Sequence, residues 1–362
     1  MKEEIISRVD KLLASMAESS VDAVLIANEE HSTKNLRYFS NFTGSTGYLL
    51  ISRDKQMIFT DSRYWEQTLA QSPLTLEKIK ELRTRPFVAR FFQNYKRIGF
   101  EAKALTVDFF NGFEALLPPD VEWIPVDGMI SEIRCSKSVL EKNKIVEANK
   151  IAIDAFKKVI GELKAGMTEK EVAIALEFQM LKLGGEDKSF GTIVASGWRS
   201  ALPHGAASDK KIEKGEFIVF DFGCFLGGYC SDITRTIALG KPSDEMLEVY
   251  DIVKKAQNSA ERAAKAGMSG KDIDTIARDI ITDEGYGEYF GHGLGHGIGL
   301  EVHEEPRVSQ INTNALPVGA VVTIEPGSYL PNRFGVRIEN DIFLGLETTE
   351  VLTVFPTDLI IV

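Results

Sequence analysis

The 362-residue sequence predicts an α/β (α+β) protein made of two parts. Residues 1–125 alternate short apolar runs with segments of helical spacing, a pattern typical of a compact α/β domain. Residues 137–362 open with a long helical pattern and contain two pairs of similar segments, which indicates an internal repeat. The chain length suggests two domains, or one large domain with an appendage.

In the N-terminal part, apolar spacing predicts a helix over residues 3–18. This helix contains acids and lacks a long apolar core, so it does not resemble a signal peptide. Strands are predicted at DAVLIA (22–27), GYLLIS (47–52), QMIFTD (56–61) and RIGFEA (97–102), and helices at RYWEQTLAQS (63–72) and VDFFNGFEALLP (107–118).

Prolines mark the end of this first part. Pro118, Pro119 and Pro125 interrupt the pattern, and we interpret residues 126–136 as a linker. The sequence therefore predicts one domain over 1–125 and a second over 137–362.

The second part carries the repeat. After a long helical pattern, residues 164–168 read KAGMT and residues 265–269 read KAGMS, with Thr168 and Ser269 as predicted helix N-caps. Further along, GEFIVFDFG (215–223) resembles GAVVTIEPG (319–327). The repeat places Asp221 and Glu325 at equivalent strand ends. Two halves packed about an approximate twofold axis would aim both acids into one central cleft.

Charge and cysteine content narrow the class of protein. A formal charge of −11 argues against a nucleic-acid partner, and the sequence contains no apolar run long enough for a membrane span. Cys135, Cys224 and Cys230 are odd in number, which favours buried thiols over a disulfide framework, although Cys224 and Cys230 could meet across a turn. We therefore expect a cytoplasmic protein.

Four acids flank two predicted hairpins. Asp221 and Asp232 lie on either side of a turn around Gly227-Gly228, and they would face each other if the loop centred on Leu226-Gly227. Glu325 and Glu339 flank a turn around Pro331-Asn332 in the same way. A single acid at a strand end is usually a turn or capping residue, but four in symmetrical positions are harder to explain in that way.

The segment GHGLGHGIGLEVHEEP (291–306) holds three of the five histidines, namely His292, His296 and His303. A flexible glycine-rich loop with incidental histidines is the alternative to a functional site. His296 together with the four acids forms an oxygen-rich set that suits two divalent ions bridged by carboxylates, with Mn²⁺ the natural choice and Co²⁺ or Zn²⁺ as alternatives. His204 also lies in the second part, whereas His31 stands apart and is interpreted as structural.

Four segments, DFG…SDITRT, GHGLGHGIGLEVHEEP, TIEPG and VRIEND, resemble the five-ligand pattern of the pita-bread metallopeptidases. That family includes Xaa-Pro dipeptidase (prolidase), aminopeptidase P and methionine aminopeptidase. NLRYFSNFTGSTGYLLIS and FTDSRYWEQ resemble the creatinase-type N-terminal domain of its proline-directed members. The resemblance covers essentially the whole chain, so it implies a creatinase-like domain followed by a pita-bread catalytic domain.

The resemblance also implies roles for individual residues. Asp232 and Glu339 would bridge two metal ions, Asp221 would complete one coordination sphere, and His296 with Glu325 would complete the other. Glu325 would also move the proton. His292 and His303 would stabilise the substrate carbonyl or intermediate, while His204 and Arg337 match positions near the ligands or substrate. Arg307 matches the arginine that binds the C-terminal carboxylate of a dipeptide.

The implied activity is metal-dependent hydrolysis of the Xaa-Pro bond in dipeptides or short peptides, by a homodimer. Aminopeptidase P activity on longer peptides is the alternative. Methionine aminopeptidase fits less well because residues 1–125 would be surplus. A creatinase-like amidinohydrolase or a non-catalytic binding protein also fits less well, because proteins of those kinds lack metal ligands that this chain has.

Overall fold

The chain divides into two units, Met1–Ile133 and Arg134–Val362, in a computed structural model that describes residues 1–29 and 34–362. His31, interpreted above as structural, lies outside the described residues. The boundary between the units falls within residues 126–136, the predicted linker, and most of that segment is helical.

The first unit is built on a six-stranded mixed sheet, whose strands follow one another in space as residues 75–78, 56–60, 46–52, 23–29, 97–100 and 122–125. The predicted strands and helices are all present, with ends shifted by a few residues. Five further elements were not predicted, and the last of them lies in the segment interpreted as a linker: Asn35–Ser40, Thr75–Lys78, Pro86–Phe92, Glu122–Pro125 and Asp127–Cys135. In order the elements of this unit are α1 (Lys2–Glu18), β1 (Ala23–Glu29), α2 (Asn35–Ser40), β2 (Thr46–Ser52), β3 (Gln56–Thr60), α3 (Trp65–Gln71), β4 (Thr75–Lys78), α4 (Pro86–Phe92), β5 (Arg97–Phe100), α5 (Val107–Glu114), β6 (Glu122–Pro125) and α6 (Asp127–Cys135).

The second unit has two helix pairs, each followed by antiparallel strands. In its four-stranded sheet the strands follow one another as residues 360–361, 233–239, 216–222 and 193–196. In its five-stranded sheet they follow one another as residues 304–308, 295–297, 321–324, 340–344 and 349–351. In order the elements are α7 (Val139–Glu162), α8 (Glu169–Lys182), β7 (Asp187–Lys188), β8 (Ile193–Ser196), β9 (Glu216–Phe222), β10 (Cys224–Leu226), β11 (Tyr229–Cys230), β12 (Ile233–Leu239), α9 (Asp244–Ala263), α10 (Gly270–Asp283), β13 (Gly295–Gly297), β14 (Glu304–Val308), β15 (Val321–Ile324), β16 (Gly327–Leu330), β17 (Phe334–Arg337), β18 (Asn340–Leu344), β19 (Thr349–Val351) and β20 (Ile360–Ile361).

The predicted repeat is present in local detail. Thr168 and Ser269 both cap their helices, α8 and α10, through complete capping boxes. Just before each cap, a glycine N–H donates to a carbonyl 2.9 Å away: Gly166 to Ile212, which precedes β9, and Gly267 to Leu316, which precedes β15. The first helix pair packs its apolar side against the strands of its own half. The second pair does the same through α10 and the C-terminal part of α9, while the N-terminal part of α9 also packs against β9, β12 and β17.

The two halves differ at the first residue of the second helix. In α8 this residue is Glu169, a fully buried acid that accepts hydrogen bonds from Ser196, Arg199 and Ser208. In α10 it is Gly270, where an added Cβ would lie 2.3 Å from the carbonyl oxygen of Arg307. The same position therefore binds polar groups through its side chain in the first half and allows another backbone segment to approach closely in the second.

The first hairpin corrects one sequence prediction. Gly227 and Gly228 form its turn with φ values of 58° and 82°, and Leu226 pairs with Tyr229. In the longer β9–β12 ladder Asp221 is opposite Thr234. Asp221 and Asp232 therefore do not face each other directly, because the turn centres one residue later than Leu226-Gly227.

The second hairpin follows the predicted pairing. Ile324 pairs with Asn340 on one side of the acids and Gly327 with Arg337 on the other, so a single register places Glu325 opposite Glu339. The turn includes Asn332, whose φ is 59°.

Two absences hold for the described residues. Within 1–29 and 34–362, no helix has the length and apolar character that crossing a membrane requires. Across the same ranges none of the three cysteines forms a disulfide, and all three are buried.

Candidate functional site

All ten residues singled out from the sequence line one cleft of the second unit, with a volume of about 1120 Å³. They come from strands and loops far apart in sequence, and the repeat brings them together. They are His204, Asp221, Asp232, His292, His296, His303, Arg307, Glu325, Arg337 and Glu339.

Three of these residues form a tight, buried group. Asp232, His296 and Glu339 each offer one ligand atom, and these atoms all lie within 4.8 Å of one another. Asp232 immediately precedes β12, His296 lies in β13, and Glu339 separates β17 from β18. Convergence of two carboxylates and an imidazole at this spacing is typical of a cation site.

Glu325 extends this group. Its Oε1 lies 3.3 Å from Nε2 of His296, which is itself 3.7 Å from Oδ2 of Asp232. The register of the second hairpin places Glu325 opposite Glu339 across the strands. Four of the five predicted ligands are thus linked by short distances or by direct pairing.

Asp221 is held by Arg337. The Nη2 of Arg337 donates to Oδ2 of Asp221 at 2.7 Å, while Oδ1 is buried and has no hydrogen-bond partner among the described residues. An orphaned buried carboxylate oxygen is costly unless something else supplies a positive partner.

Burial and mutual repulsion dominate the electrostatics of the cleft. Burial raises the pKa of Asp232 well above its usual value, and the charges of Glu339 and Asp221 raise it further. Burial and the neighbouring charges of Glu325 and Asp221 raise the pKa of Glu339 in the same way. Such carboxylates remain ionised at neutral pH only if a cation compensates them.

Glu325 responds differently because it has a partner of opposite charge. Burial alone would raise its pKa, but the hydrogen bond and charge of His296 outweigh burial and lower the pKa to about 2. Glu325 is therefore an ionised carboxylate near neutral pH.

Sequence reasoning missed Tyr329, which connects two of the candidates. The Nδ1 of His292 lies 2.8 Å from the carbonyl oxygen of Gly293, which can only accept, so Nδ1 carries the proton. The Tyr329 hydroxyl then donates to Nε2 of His292 at 2.9 Å and accepts from Arg337 Nη1 at 2.9 Å. Burial lowers the pKa of His292, which favours this neutral tautomer.

Asp341 was also missed, although it directly follows VRIEN. This buried acid accepts hydrogen bonds from the Asn149 side chain at 2.8 Å and from the backbone N–H of Asp232 at 3.2 Å. It holds the backbone that carries Asp232. No local pattern could reveal a link between residues so distant in sequence.

The remaining candidates lie at the open side of the cleft. His204, His303 and Arg307 are exposed, and the rings of His303 and His296 have centroids 4.3 Å apart. These side chains can reach a bound molecule without first breaking a buried contact.

Comparisons with known proteins agree with this geometry. Residues 143–345 match the pattern of metallopeptidase family M24, and residues 8–136 match the creatinase/prolidase N-terminal domain. The chain belongs to metallopeptidase family M24. The creatinase-like and pita-bread folds and the peptidase class expected from the sequence are thereby confirmed.

Individual relatives span the whole chain. It is 40% identical to the Xaa-Pro dipeptidase of Pyrococcus horikoshii, covering 98% of each protein. It is 41% identical to the solved Xaa-Pro dipeptidase from Bacillus anthracis, with a TM-score of 0.94 over 99% of this chain and 100% of that one. It is 42% identical to the X-Pro aminopeptidase from Thermotoga maritima, with a TM-score of 0.91 over 98% and 100%.

Family M24 implies divalent metal ions, and the cleft fits them. Its donors are carboxylate oxygens and one imidazole, the ligands that such cations prefer. The unpartnered oxygen of Asp221 and the buried acids Asp232 and Glu339 supply negative charge that lacks enough protein cations nearby.

We expect Tyr329→Phe to destabilise the M24 unit by about 1–3 kcal/mol, because it leaves the buried Nε2 of His292 without its donor. Urea denaturation measures the change. Tyr286→Phe, at a partly exposed tyrosine, is the matched control and should change stability little. Equal effects of the two substitutions would contradict the hydrogen-bond assignment.

Proposed function

We propose that this M24 peptidase is a metal-dependent Xaa-Pro dipeptidase, which hydrolyses the bond between any first residue and a C-terminal proline. The observation that carries the proposal is the buried group of Asp232, His296 and Glu339 in a cleft that is also lined by the exposed Arg307. Relatives about 40% identical over nearly the full chain carry the name Xaa-Pro dipeptidase, which supports the substrate class.

Five residues would hold two divalent ions, with Mn²⁺ preferred and Co²⁺ or Zn²⁺ as alternatives. Asp232 and Glu339, which lie near each other and near further acids, would hold the ions together with Asp221, His296 and Glu325. When bound, such ions act as Lewis acids and make water nucleophilic near neutral pH.

Glu325 is suited to move the proton. As an ionised carboxylate that lines the cleft, it can accept a proton from the attacking water. It can then deliver that proton to the prolyl nitrogen, which has no hydrogen of its own and must be protonated to leave.

The histidines would act on the substrate carbonyl. His303 is exposed above His296, and burial together with the nearby His296 lowers its pKa, so its neutral ring can donate a hydrogen bond to the carbonyl oxygen. His292 also lines the cleft; to donate to the carbonyl or intermediate its ring would carry the proton on Nε2, in place of the hydrogen bond that Nε2 accepts from Tyr329 in this structure. His204 would complete the wall of the cleft.

Arg307 would select dipeptides. Its guanidinium is exposed in the cleft, and within the described ranges it makes no ion pair or side-chain hydrogen bond. A C-terminal carboxylate is the ligand that a guanidinium of this kind binds best. A longer peptide has an amide at that point instead.

An Xaa-Pro aminopeptidase acting on longer peptides is the second candidate, favoured by the likeness to the Thermotoga maritima X-Pro aminopeptidase. A non-catalytic binding protein is disfavoured because all five candidate ligands line the cleft.

We also propose that the protein is a cytoplasmic homodimer. Buried cysteines without a disulfide suit a reducing compartment. Light scattering on the purified chain should give a mass near twice 40.1 kDa, and a monomer mass would contradict the dimer.

Removal of divalent ions should abolish cleavage of Ala-Pro and lower thermal stability, because bound ions stabilise the folded state. Treatment with EDTA followed by separate addition of Mn²⁺, Co²⁺ or Zn²⁺ tests this, with metal content measured in parallel. Glu339→Gln should reduce the bound metal, whereas Glu350→Gln, at an exposed acid, should not. Full activity of metal-free protein would refute the proposal.

Arg307→Ala should raise the KM for Ala-Pro by about tenfold to a hundredfold, because it removes a charge-assisted hydrogen bond. The KM for Ala-Pro-Ala should change little. Arg262→Ala, at an exposed arginine of α9 outside the cleft, is the control. Faster cleavage of the tripeptide than of the dipeptide by the unmodified enzyme would favour the aminopeptidase alternative.

A further inference from the structure

We propose that Asp274 and Arg278, one turn apart on α10, are positioning residues that fix His292 for the reaction. Neither side chain lines the cleft. The inference rests on the proposed function, since it assigns the pair a role in the same chemistry.

Asp274 and Arg278 form a bidentate ion pair. The Nε of Arg278 donates to Oδ2 of Asp274 at 2.7 Å, and Nη2 donates to Oδ1 at 2.9 Å. The Asp274 side chain is fully buried and that of Arg278 is 16% exposed. A paired, buried guanidinium has its orientation set by its partner.

The same two side chains bind the main chain around His292. Arg278 donates from Nη1 to the carbonyl oxygen of Phe290 at 2.9 Å and from Nη2 to that of His292 at 2.7 Å. The backbone N–H of Leu294 donates to Oδ1 of Asp274 at 3.0 Å. Three hydrogen bonds thus hold the backbone at His292 and on both sides of it.

The glycines of this loop explain why its backbone needs these hydrogen bonds. His292 stands between Gly291 and Gly293, and an added Cβ at Gly291 would meet nothing within 4 Å. Glycines on both sides give the backbone wide conformational freedom. The ion pair on α10 restricts that freedom without adding bulk to the cleft.

Arg278 also supports the imidazole ring through Phe290. Its guanidinium carbon lies 4.1 Å from the centroid of the Phe290 ring, and that buried ring packs edge-on against His292 with centroids 5.1 Å apart. The contacts therefore fix both the backbone and the ring that accepts a hydrogen bond from Tyr329.

The repeat argues against a role in helix packing alone. At the equivalent offset of 101 residues, α8 has Ala173 and Glu177 in place of Asp274 and Arg278. Glu177 makes a partly exposed pair with Lys188 instead. The first half packs its helices without the ion pair, so the pair serves the histidine loop of the second half.

Arg278→Lys tests the proposal, because lysine keeps the charge but cannot bind Asp274 and both carbonyls as a planar fork. We expect kcat for Ala-Pro to fall about tenfold, as for a small displacement of a catalytic group, with KM and metal content little changed. Asp274→Asn should act in the same direction. In a His292→Ala background, Arg278→Lys should have no further effect on kcat.

Ile281→Val, at a buried core position of α10, is the matched control. It should lower the melting temperature without changing kcat, and its effects should add to those of His292→Ala. An Arg278→Lys enzyme with unchanged kcat, or additivity of Arg278→Lys with His292→Ala, would overturn the positioning role.

Nuclear magnetic resonance of the full chain labelled with ¹⁵N-histidine separates this proposal from the proposed function. In Arg278→Lys the His292 nitrogen signals, assigned through His292→Ala, should shift, while those of His204 should not. Unshifted His292 signals would overturn the proposal even if the protein cleaved no Xaa-Pro peptide. Failure of the unmodified, metal-loaded enzyme on all Xaa-Pro substrates would refute only the function.

Discussion

Mutual repulsion among desolvated carboxylates is the constraint on which this site depends. Asp232 and Glu339 are almost fully buried. The charge of Glu339 raises the pKa of Asp232, and the charge of Glu325 raises the pKa of Glu339. Cationic side chains neutralise only part of this negative charge, because Arg337 pairs with Asp221 and His296 pairs with Glu325. The negative charge that remains favours the binding of divalent ions in the cleft.

The repeat explains how such a costly cluster is assembled. Each half brings a hairpin with acids on both sides of its turn, and each hairpin is backed by a capped helix pair with its own apolar core. The repulsive groups thus come from elements that apolar packing outside the cleft stabilises. Residues outside the cleft, such as Asp341 behind Asp232, then set the backbone positions of the ligands.

Features of the fold that depend on neighbouring residues were predictable from the sequence. Features that depend on contacts between distant residues were not. Two similar segments predicted the repeat, and the glycine pair at 227–228 predicted a turn, because caps and turns depend on neighbouring residues. The pairing of Asp221 with Thr234 was missed because a shift of one residue in the turn moves the whole ladder. Tyr329 was missed because only the folded hairpin brings it to His292.

The difference between Glu169 and Gly270 means that the two halves of the second unit are not interchangeable. A side chain occupies this corner in the first half, and the main chain at Arg307 occupies it in the second. If both halves had Glu169 at this position, the strand that carries Arg307 could not approach α10 so closely. If both had glycine, the loop that contains His204 would lose its hydrogen bonds to Glu169. Because these two positions differ, neither half can substitute for its counterpart at this corner.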